Sequence, residues 1–353
     1  MIGETKKIKA VLFGAGVTGK EVIRHITERD AELLAVFEVD EKVVGSDSGT
    51  VAGMETNGVI IEHLSEAARV LAETKPDVAV VCTVSEMKNL YPVFEVCAEN
   101  GVNVITTSEL IYYPFTVYPK EGKALNELAE KHGITIAASG VQDAFFTMLP
   151  AVISSACYDV KKISVTNLAP LDHFEYWKSM GIGGTKEEYL RIAEEWAAEV
   201  ASDEDAPLEY DTMAIAAEVT AQVMGLHVTG AREEETEILL AEKDTHIPTV
   251  DITIQKGMVI GQKQKSVLET AEGIELESVF ISKMTDWDNG ETPYNKVEVK
   301  GLPDLDLFTT DMHGEFTTTA AVLNRIPDVI KAEPGYKTVA QLGLPGFRRS
   351  FAV

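Results

Sequence analysis

The chain has 353 residues, 45% apolar and 25% charged, which is the composition of a globular protein too long for one ordinary core, so two domains are expected. Its formal net charge of −26 argues against nucleic acid and anionic membranes as partners. The three cysteines, Cys82, Cys97 and Cys157, show no regular spacing, which argues against a disulfide framework or a zinc site. No apolar run is long enough to span a membrane and the N-terminus runs straight into a strand, so a cytoplasmic protein is expected.

Strand and helix alternate through the first third. An apolar run, Ala10 to Phe13, leads into Gly14, Gly16 and Gly19 in G-x-G-x-x-G spacing, and a helix follows to Glu28. Gly14 permits the tight turn, Gly16 lets a pyrophosphate approach the backbone, and Gly19 lets the helix pack on the sheet with its N-terminal N–H groups toward phosphate. A second strand, Leu33 to Val39, carries Glu38 nineteen positions after Gly19, where a dinucleotide-binding unit places the carboxylate that holds the adenosine ribose. A glycine-rich turn that binds no nucleotide is the other reading; strand, glycines, helix and acid together favour the dinucleotide. Gly14, Ala15, Gly16, Val17, Thr18, Gly19 and Glu38 are therefore expected to bind cofactor. Glu38, with Asp40 nearby, would repel a 2′-phosphate, favouring NAD with NADP as the alternative. Val43 to Ala52 reads as a loop, and Ser65 to Thr74 as a helix. A strand from Val78 to Val84, a helix from Met87 to Asn100, a strand from Asn103 to Thr106, a helix from Lys120 to His132 and a strand from Ile134 to Ala138 complete the series. This alternation predicts a doubly wound Rossmann-type parallel sheet in an α/β fold.

Beyond Gly140 the pattern changes. Ala144 to Ala156 is an apolar helical stretch with Pro150 inside, and Lys162 to Leu168 reads as a strand. Thr185 caps a helix to Val200, with Glu188 completing a capping box, and Asp211 to Met224 is a further helix. From Ala231 onward, five stretches between Glu235 and Lys300 alternate apolar and polar residues, predicting an α+β domain on a mainly antiparallel sheet. Thr317 to Asn324 reads as a last helix, with Pro327 and Pro334 breaking the chain after it. The expected division is a dinucleotide-binding domain at 1–143, a substrate and dimerisation domain at 144–315, and a helix and tail at 316–353 packing back on the first domain.

Ligands in open α/β sheets bind beyond the carboxyl ends of the strands. Two loops fall there: Thr83, Val84 and Ser85, expected to meet cofactor, and Thr107 to Glu109. Glu109 follows an apolar strand, with apolar and aromatic residues after it. It is either a carboxylate in partly apolar surroundings, suited to moving a proton or holding an ammonium, or a helix-start carboxylate facing solvent. His173 lies in LAPLDHFEYWKSM among Asp172, Phe174, Glu175, Tyr176 and Trp177; it is either a pocket residue or an ordinary hydrogen-bonded histidine at a strand end. Phe145, Phe146, Asn167 and Tyr176 are the candidate pocket residues, core packing being the other role for the two phenylalanines. His227, His246 and His313 lie at no metal-ligand spacing, so no metal is expected.

GAGVTGKEV, AVFEVD, VVCTVS, NVITTSELIYYP, ASGVQDAFF, MGIGGTKEEYLR and TTTAAVLNRIPDVIKAEPGYKTV, taken in order, resemble the 2,4-diaminopentanoate dehydrogenases and related native amine dehydrogenases, whose nucleotide-binding half is like that of dihydrodipicolinate reductase. The resemblance implies NAD(P)-dependent oxidative deamination of a small amine or diamino acid, reversible as reductive amination of a ketone with ammonia. It places the family's amine-binding acid on Glu109 and its dinucleotide glycines on Gly14, Gly16 and Gly19. His173 would orient the substrate's polar end. A homodimer paired through the antiparallel sheet is expected. The alternatives are a carbonyl or alcohol oxidoreductase of the same fold, or a non-catalytic NAD-binding sensor.

Overall fold

The computed structural model describes residues 7–173, 175–208, 211–234 and 236–351, without the side chains of Glu175 and Tyr176. In chain order the first elements are β1 (Ile8–Phe13), α1 (Val17–Ile26), β2 (Ala31–Glu38), α2 (Ser48–Val51), β3 (Ile61–His63), α3 (Ala67–Thr74), β4 (Val78–Val81), α4 (Met87–Glu99) and β5 (Asn103–Thr106). A 3₁₀ turn (Glu109–Ile111), α5 (Pro114–Val117), α6 (Pro119–His132), β6 (Thr135–Ala138), a π-helical turn (Gln142–Met148) and α7 (Leu149–Ser154) come next. Then come β7 (Asp159–Pro170), α8 (Lys186–Ser202), α9 (Thr212–Met224), β8 (Val228–Glu233), β9 (Glu237–Leu240), β10 (Thr245–Ile247) and β11 (Ile252–Ile254). The last are β12 (Val259–Thr270), β13 (Glu275–Lys283), β14 (Tyr294–Leu302), β15 (Leu305–Thr310), α10 (Gly314–Lys331), β16 (Gly335–Lys337) and α11 (Val339–Leu342). No helix among the described residues is long and apolar enough to cross a membrane.

The chain divides into two compact units. Unit 1 comprises 1–144, 207–219 and 315–353; unit 2 comprises 145–206 and 220–314. The sequence assigned 207–219 to the second domain, whereas the structure counts it with the first.

Unit 1 is a parallel seven-stranded sheet in the order β16-β6-β5-β4-β1-β2-β3, the doubly wound arrangement expected. Its central strands are apolar without alternation because helices cover both faces, and Ala10 to Phe13 and Val78 to Val81 are fully buried. The Phe13 and Phe37 rings pack with centroids 4.7 Å apart. β16 is an edge strand absent from the sequence expectations, being three residues long behind Pro334. α10 runs through Pro327, where a break was expected. Arg325, Ile326, Pro327 and Val329 are all buried, so tertiary packing holds the helix together despite the lost hydrogen bond.

Arg325 makes the most demanding contact in unit 1. Its Nε donates to Asp143 Oδ2 at 2.7 Å and its Nη2 to Oδ1 at 2.9 Å, and both side chains are 0% exposed. Ser139 Oγ donates to the same Asp143 Oδ2 at 2.9 Å. Asp328 accepts from Arg325 Nη1 at 3.4 Å and from Arg348 Nη2 at 2.9 Å. The pair therefore fixes the turn after β6 against α10.

Unit 2 is a mixed sheet in the order β15-β14-β7-β13-β12-β8, with β9 also pairing β12. Only β7 and β13 run parallel among these pairs; the others are antiparallel. Alternation in β7 puts Ile163, Val165 and Asn167 on one face and Lys162, Ser164 and Thr166 on the other. Pro150 lies inside a continuous helical run over 141–154, as expected, π-helical over Gln142–Met148 and α-helical from Leu149; having no N–H, it returns no backbone hydrogen bond to the preceding turn. On the second face of the sheet Glu277 accepts hydrogen bonds from Lys162 (2.7 Å), Ser164 (2.7 Å) and Lys265 (3.0 Å). Burial pushes its carboxyl up, but these partners outweigh burial and hold it at about 2.

Two measurements test these contacts. Asp143→Asn removes the bidentate counter-charge of a buried guanidinium, leaving it only the longer contact to Asp328, and should cost about 3–5 kcal/mol in urea unfolding, while the double replacement Asp143→Leu, Arg325→Met recovers most of it. Glu277 stabilises the fold above its ordinary value of 4.5, and that contribution drains away as pH falls toward about 2. Thermal unfolding of Glu277→Gln across this range should show a shallower acid loss than the parent chain.

Candidate active site

The glycine turn at the carboxyl end of β1 is held by backbone contact. Gly14 has φ +92° and its N–H donates to the Phe37 carbonyl at 2.8 Å. A Cβ on Gly14 would overlap the Cys82 carbonyl, and one on Gly19 would overlap the Gly14 carbonyl. Gly16 is different: nothing lies within 4 Å of where its Cβ would be. Gly16 is also the N-cap of α1 and no side chain caps that helix. The first turn of α1, with Val17, Thr18 and Gly19, thus offers N–H groups beside an open backbone position, the cradle a pyrophosphate requires.

Glu38 ends β2 and reaches back to this turn. Its Oε2 accepts the Ala15 N–H and its Oε1 the Val39 N–H, each at 2.7 Å. The acid expected to meet a ribose therefore also locks the turn in place. The loop after β4 closes the other side. The Thr83 methyl carbon lies 3.3 Å from the Cβ position of Gly14. Thr83 Oγ1 is buried and has no hydrogen-bond partner among the described residues. An orphaned hydroxyl beside an open glycine turn fits a polar ligand such as a dinucleotide. Val84 is exposed on the same loop. Cys82 is a packing residue, its thiol pushed up to about 12 by burial.

The loops after β4 and β5 are stitched together by hydroxyl groups. Thr106 Oγ1 donates to the Val81 carbonyl at 3.0 Å and accepts the Ser108 N–H at 3.1 Å. Ser108 Oγ donates to the Ser85 carbonyl at 3.0 Å, and Ser85 Oγ donates to Glu109 Oε2 at 3.1 Å. Ser85, expected among the cofactor contacts, has its hydroxyl on Glu109. Glu109 itself is half-buried at the start of its 3₁₀ turn. Burial raises its carboxyl above the ordinary range and Glu86 adds to this, while its own backbone N–H and Ser85 oppose it. Glu109 does open a helical turn, as one of its two readings had it, and its side chain is half-buried rather than fully exposed. The turn is pinned by Tyr336 of β16, whose hydroxyl donates to the Ile111 carbonyl and lies 3.3 Å from that of Tyr112.

The remaining candidates belong to unit 2. Asp172 is buried and accepts from Thr249 Oγ1 (2.6 Å), Trp287 Nε1 (2.8 Å) and the Thr285 N–H (3.1 Å). The His173 ring stacks on Trp287 at 5.7 Å, and its Nε2 stays 3.9 Å from Asp172, too far for a hydrogen bond. Asn167 is buried in β7 with Nδ2 donating to the Tyr294 carbonyl at 3.0 Å. Phe146 is buried and Phe145 half-buried in the π-helical turn. The backbone carbonyls of these phenylalanines accept from Thr220 Oγ1 (3.1 Å) and Asn295 Nδ2 (3.4 Å). The side chain of Tyr176, a candidate from the sequence, and Phe174, a neighbour of His173 in the same cluster, lie outside the described residues. Arg325, Tyr336 and Trp287 were not foreseen. Of these, only Arg325 carried a signal, as a lone cation in the apolar run AAVLNRIPDVI.

The family model for the 2,4-diaminopentanoate dehydrogenase C-terminal domain matches residues 145–349, more than half of the chain. The chain belongs to the 2,4-diaminopentanoate dehydrogenase family. The dihydrodipicolinate reductase N-terminal model matches residues 8–139, which hold the glycine turn and Glu109. A 2,4-diaminopentanoate dehydrogenase of Acetoanaerobium sticklandii is 21% identical over 350 residues, covering 96% of this chain and 94% of that protein. A 4-hydroxy-tetrahydrodipicolinate reductase of Methanocaldococcus jannaschii is 31% identical over 169 residues, 45% of this chain and 58% of that one. Among solved structures, an amine dehydrogenase from Mycobacterium smegmatis superimposes with a TM-score of 0.83 at 26% identity, covering 97% of this chain and 98% of its own. The chain is thus an oxidoreductase of a dehydrogenase family.

Gly14 and Gly16 should respond differently to a methyl group. Gly14→Ala should lose about 2–3 kcal/mol in urea unfolding, since it needs positive φ and meets the Cys82 carbonyl. Gly16→Ala should stay within about 1 kcal/mol of the parent. Equal losses at the two positions would show that backbone contact does not hold the turn.

Proposed function

We propose that this chain is an NAD(P)-dependent amine dehydrogenase, which oxidatively deaminates a small amine or diamino acid and, in reverse, reductively aminates a ketone with ammonia. The observation that carries this is Glu109: a half-buried carboxylate at the carboxyl edge of a parallel sheet, raised by burial and held by Ser85. The family, and the activities named for the relatives, support the reading.

The turn from Gly14 to Gly19 would hold the pyrophosphate, with Thr83 and Val84 beside it. Glu38 would face the adenosine ribose, and its charge with Asp40 favours NAD over NADP. When bound, nicotinamide supplies the hydride acceptor. Glu109 would hold the substrate ammonium and accept a proton from its nitrogen. The freed lone pair then forms the carbon–nitrogen double bond as hydride leaves the carbon, and water hydrolyses the imine to ketone and ammonia. A carboxyl raised above its ordinary range is the better proton acceptor for this work, being a stronger base than a solvated one. Phe145, Asn167 and Tyr176 are proposed to shape the pocket. His173 is proposed only to orient the substrate's polar end, because its ring is committed to Trp287.

The test is NADH formation by purified protein at alkaline pH with a panel of amines, including 2,4-diaminopentanoate, and the matching alcohols. Amine turnover is expected. Glu109→Gln should lower kcat by about 10²–10⁴ while NAD⁺ binding is kept. Turnover of alcohols alone would replace this reading with a carbonyl reductase, and a fully active Glu109→Gln would remove Glu109 from the chemistry.

A further inference from the structure

Ser85 belongs to two neighbourhoods at once. Its hydroxyl donates to Glu109 Oε2 at 3.1 Å, and its carbonyl accepts from Ser108 Oγ at 3.0 Å, so both of its polar ends are turned toward the β5 loop. Its backbone continues a loop that starts on the glycine turn. The Cys82 N–H donates to the Phe13 carbonyl at 2.8 Å, and the Cys82 carbonyl and Thr83 methyl close over Gly14. Two residues before Ser85, Thr83 Oγ1 is buried and without a partner among the described residues. A dinucleotide seated on the turn would give that hydroxyl a partner and fix the loop.

We propose that Ser85 is a positioning residue that couples the nucleotide-binding turn to Glu109, so that seating the dinucleotide sets the carboxylate that receives the amine. This rests on the amine reading for what Glu109 finally binds, but the coupling itself lies within unit 1 and needs no amine. The consequence is an order of binding, with dinucleotide before amine.

The charges involved are few. Facing Glu109 is Glu86, at the head of α4, which favours the neutral acid; its own backbone N–H and the Ser85 hydroxyl favour the carboxylate. Oxidised nicotinamide is a cation and, if it is seated beside Glu109, would add to the second side of this balance. Binding of NAD⁺ should therefore release a proton from Glu109, whereas neutral reduced nicotinamide should release less. Without the Ser85 hydroxyl the neutral acid persists to higher pH, so the release should move to higher pH.

The experiment is calorimetric titration of the full chain with NAD⁺ and with NADH, in buffers of different ionisation enthalpy over a pH series. The wild type should release protons on binding NAD⁺, and Glu109→Gln should lose that release. Ser85→Ala should show the release displaced to higher pH, and Ser85→Thr, which keeps a hydroxyl, should restore it. A Ser85→Ala protein that matches wild type at every pH overturns the proposal, as does undiminished release by Glu109→Gln. The amine reading is judged separately, by NADH formation. A protein that turns over no amine and still shows the displaced release keeps the coupling and loses the amine.

Discussion

A carboxylate drawn out of water at the end of a strand costs free energy unless something holds it, and the carboxyl edge of unit 1 is organised around Glu109. The strand that presents it is buried on both faces, so where the chain leaves the sheet solvent reaches the carboxylate only in part. The hydroxyls of Thr106, Ser108 and Ser85 tie the loops after β4 and β5 together, meeting the Val81 carbonyl, the Ser85 carbonyl and the Glu109 carboxylate in turn. What remains is an acid supported from one side and desolvated from the other. Such a group changes protonation in response to its neighbours, which a fully solvated or fully ion-paired carboxylate does far less.

The same unit contains a second buried carboxylate, held by a cation. Asp143 and Arg325 satisfy each other bidentately with no exposure, and Ser139 completes the acid's partners. The value of the pair is geometric: it fixes where the chain leaves β6. Unit 1 thus places a committed carboxylate after β6 and a poised one after β5. The difference lies in the partner, a guanidinium in one case and a serine hydroxyl in the other.

Much of this was legible in the sequence because it depends on local pattern. The glycine spacing, the apolar strands and the placement of Glu38 and Glu109 follow from how a parallel sheet must be built. The illegible parts depend on partners far along the chain. Nothing near Ser85 in the sequence reveals that its hydroxyl turns to a residue 24 positions away. Pro327 reads as a break because the rule is local, while the burial that overrides it is not. Asp172 and His173 read as a polar cluster fit for a pocket, but Asp172 is spent on Thr249, Thr285 and Trp287, contributed by segments more than seventy residues downstream. β16 escaped because three residues carry no period.

That short strand has a consequence for how the protein is made. Tyr336 secures the turn carrying Glu109 through the Ile111 carbonyl, 225 positions earlier. The strands β1 to β6 leave the ribosome first, but their sheet lacks its edge, its covering helix α10 and the counter-charge of Asp143 until residues 314–337 have been synthesised. All of unit 2 is translated in between. The nascent chain therefore carries an unfinished nucleotide-binding half through the synthesis of a whole second sheet, and the order of translation is not the order of completion. The turn that carries Glu109 is complete only when the last strand is.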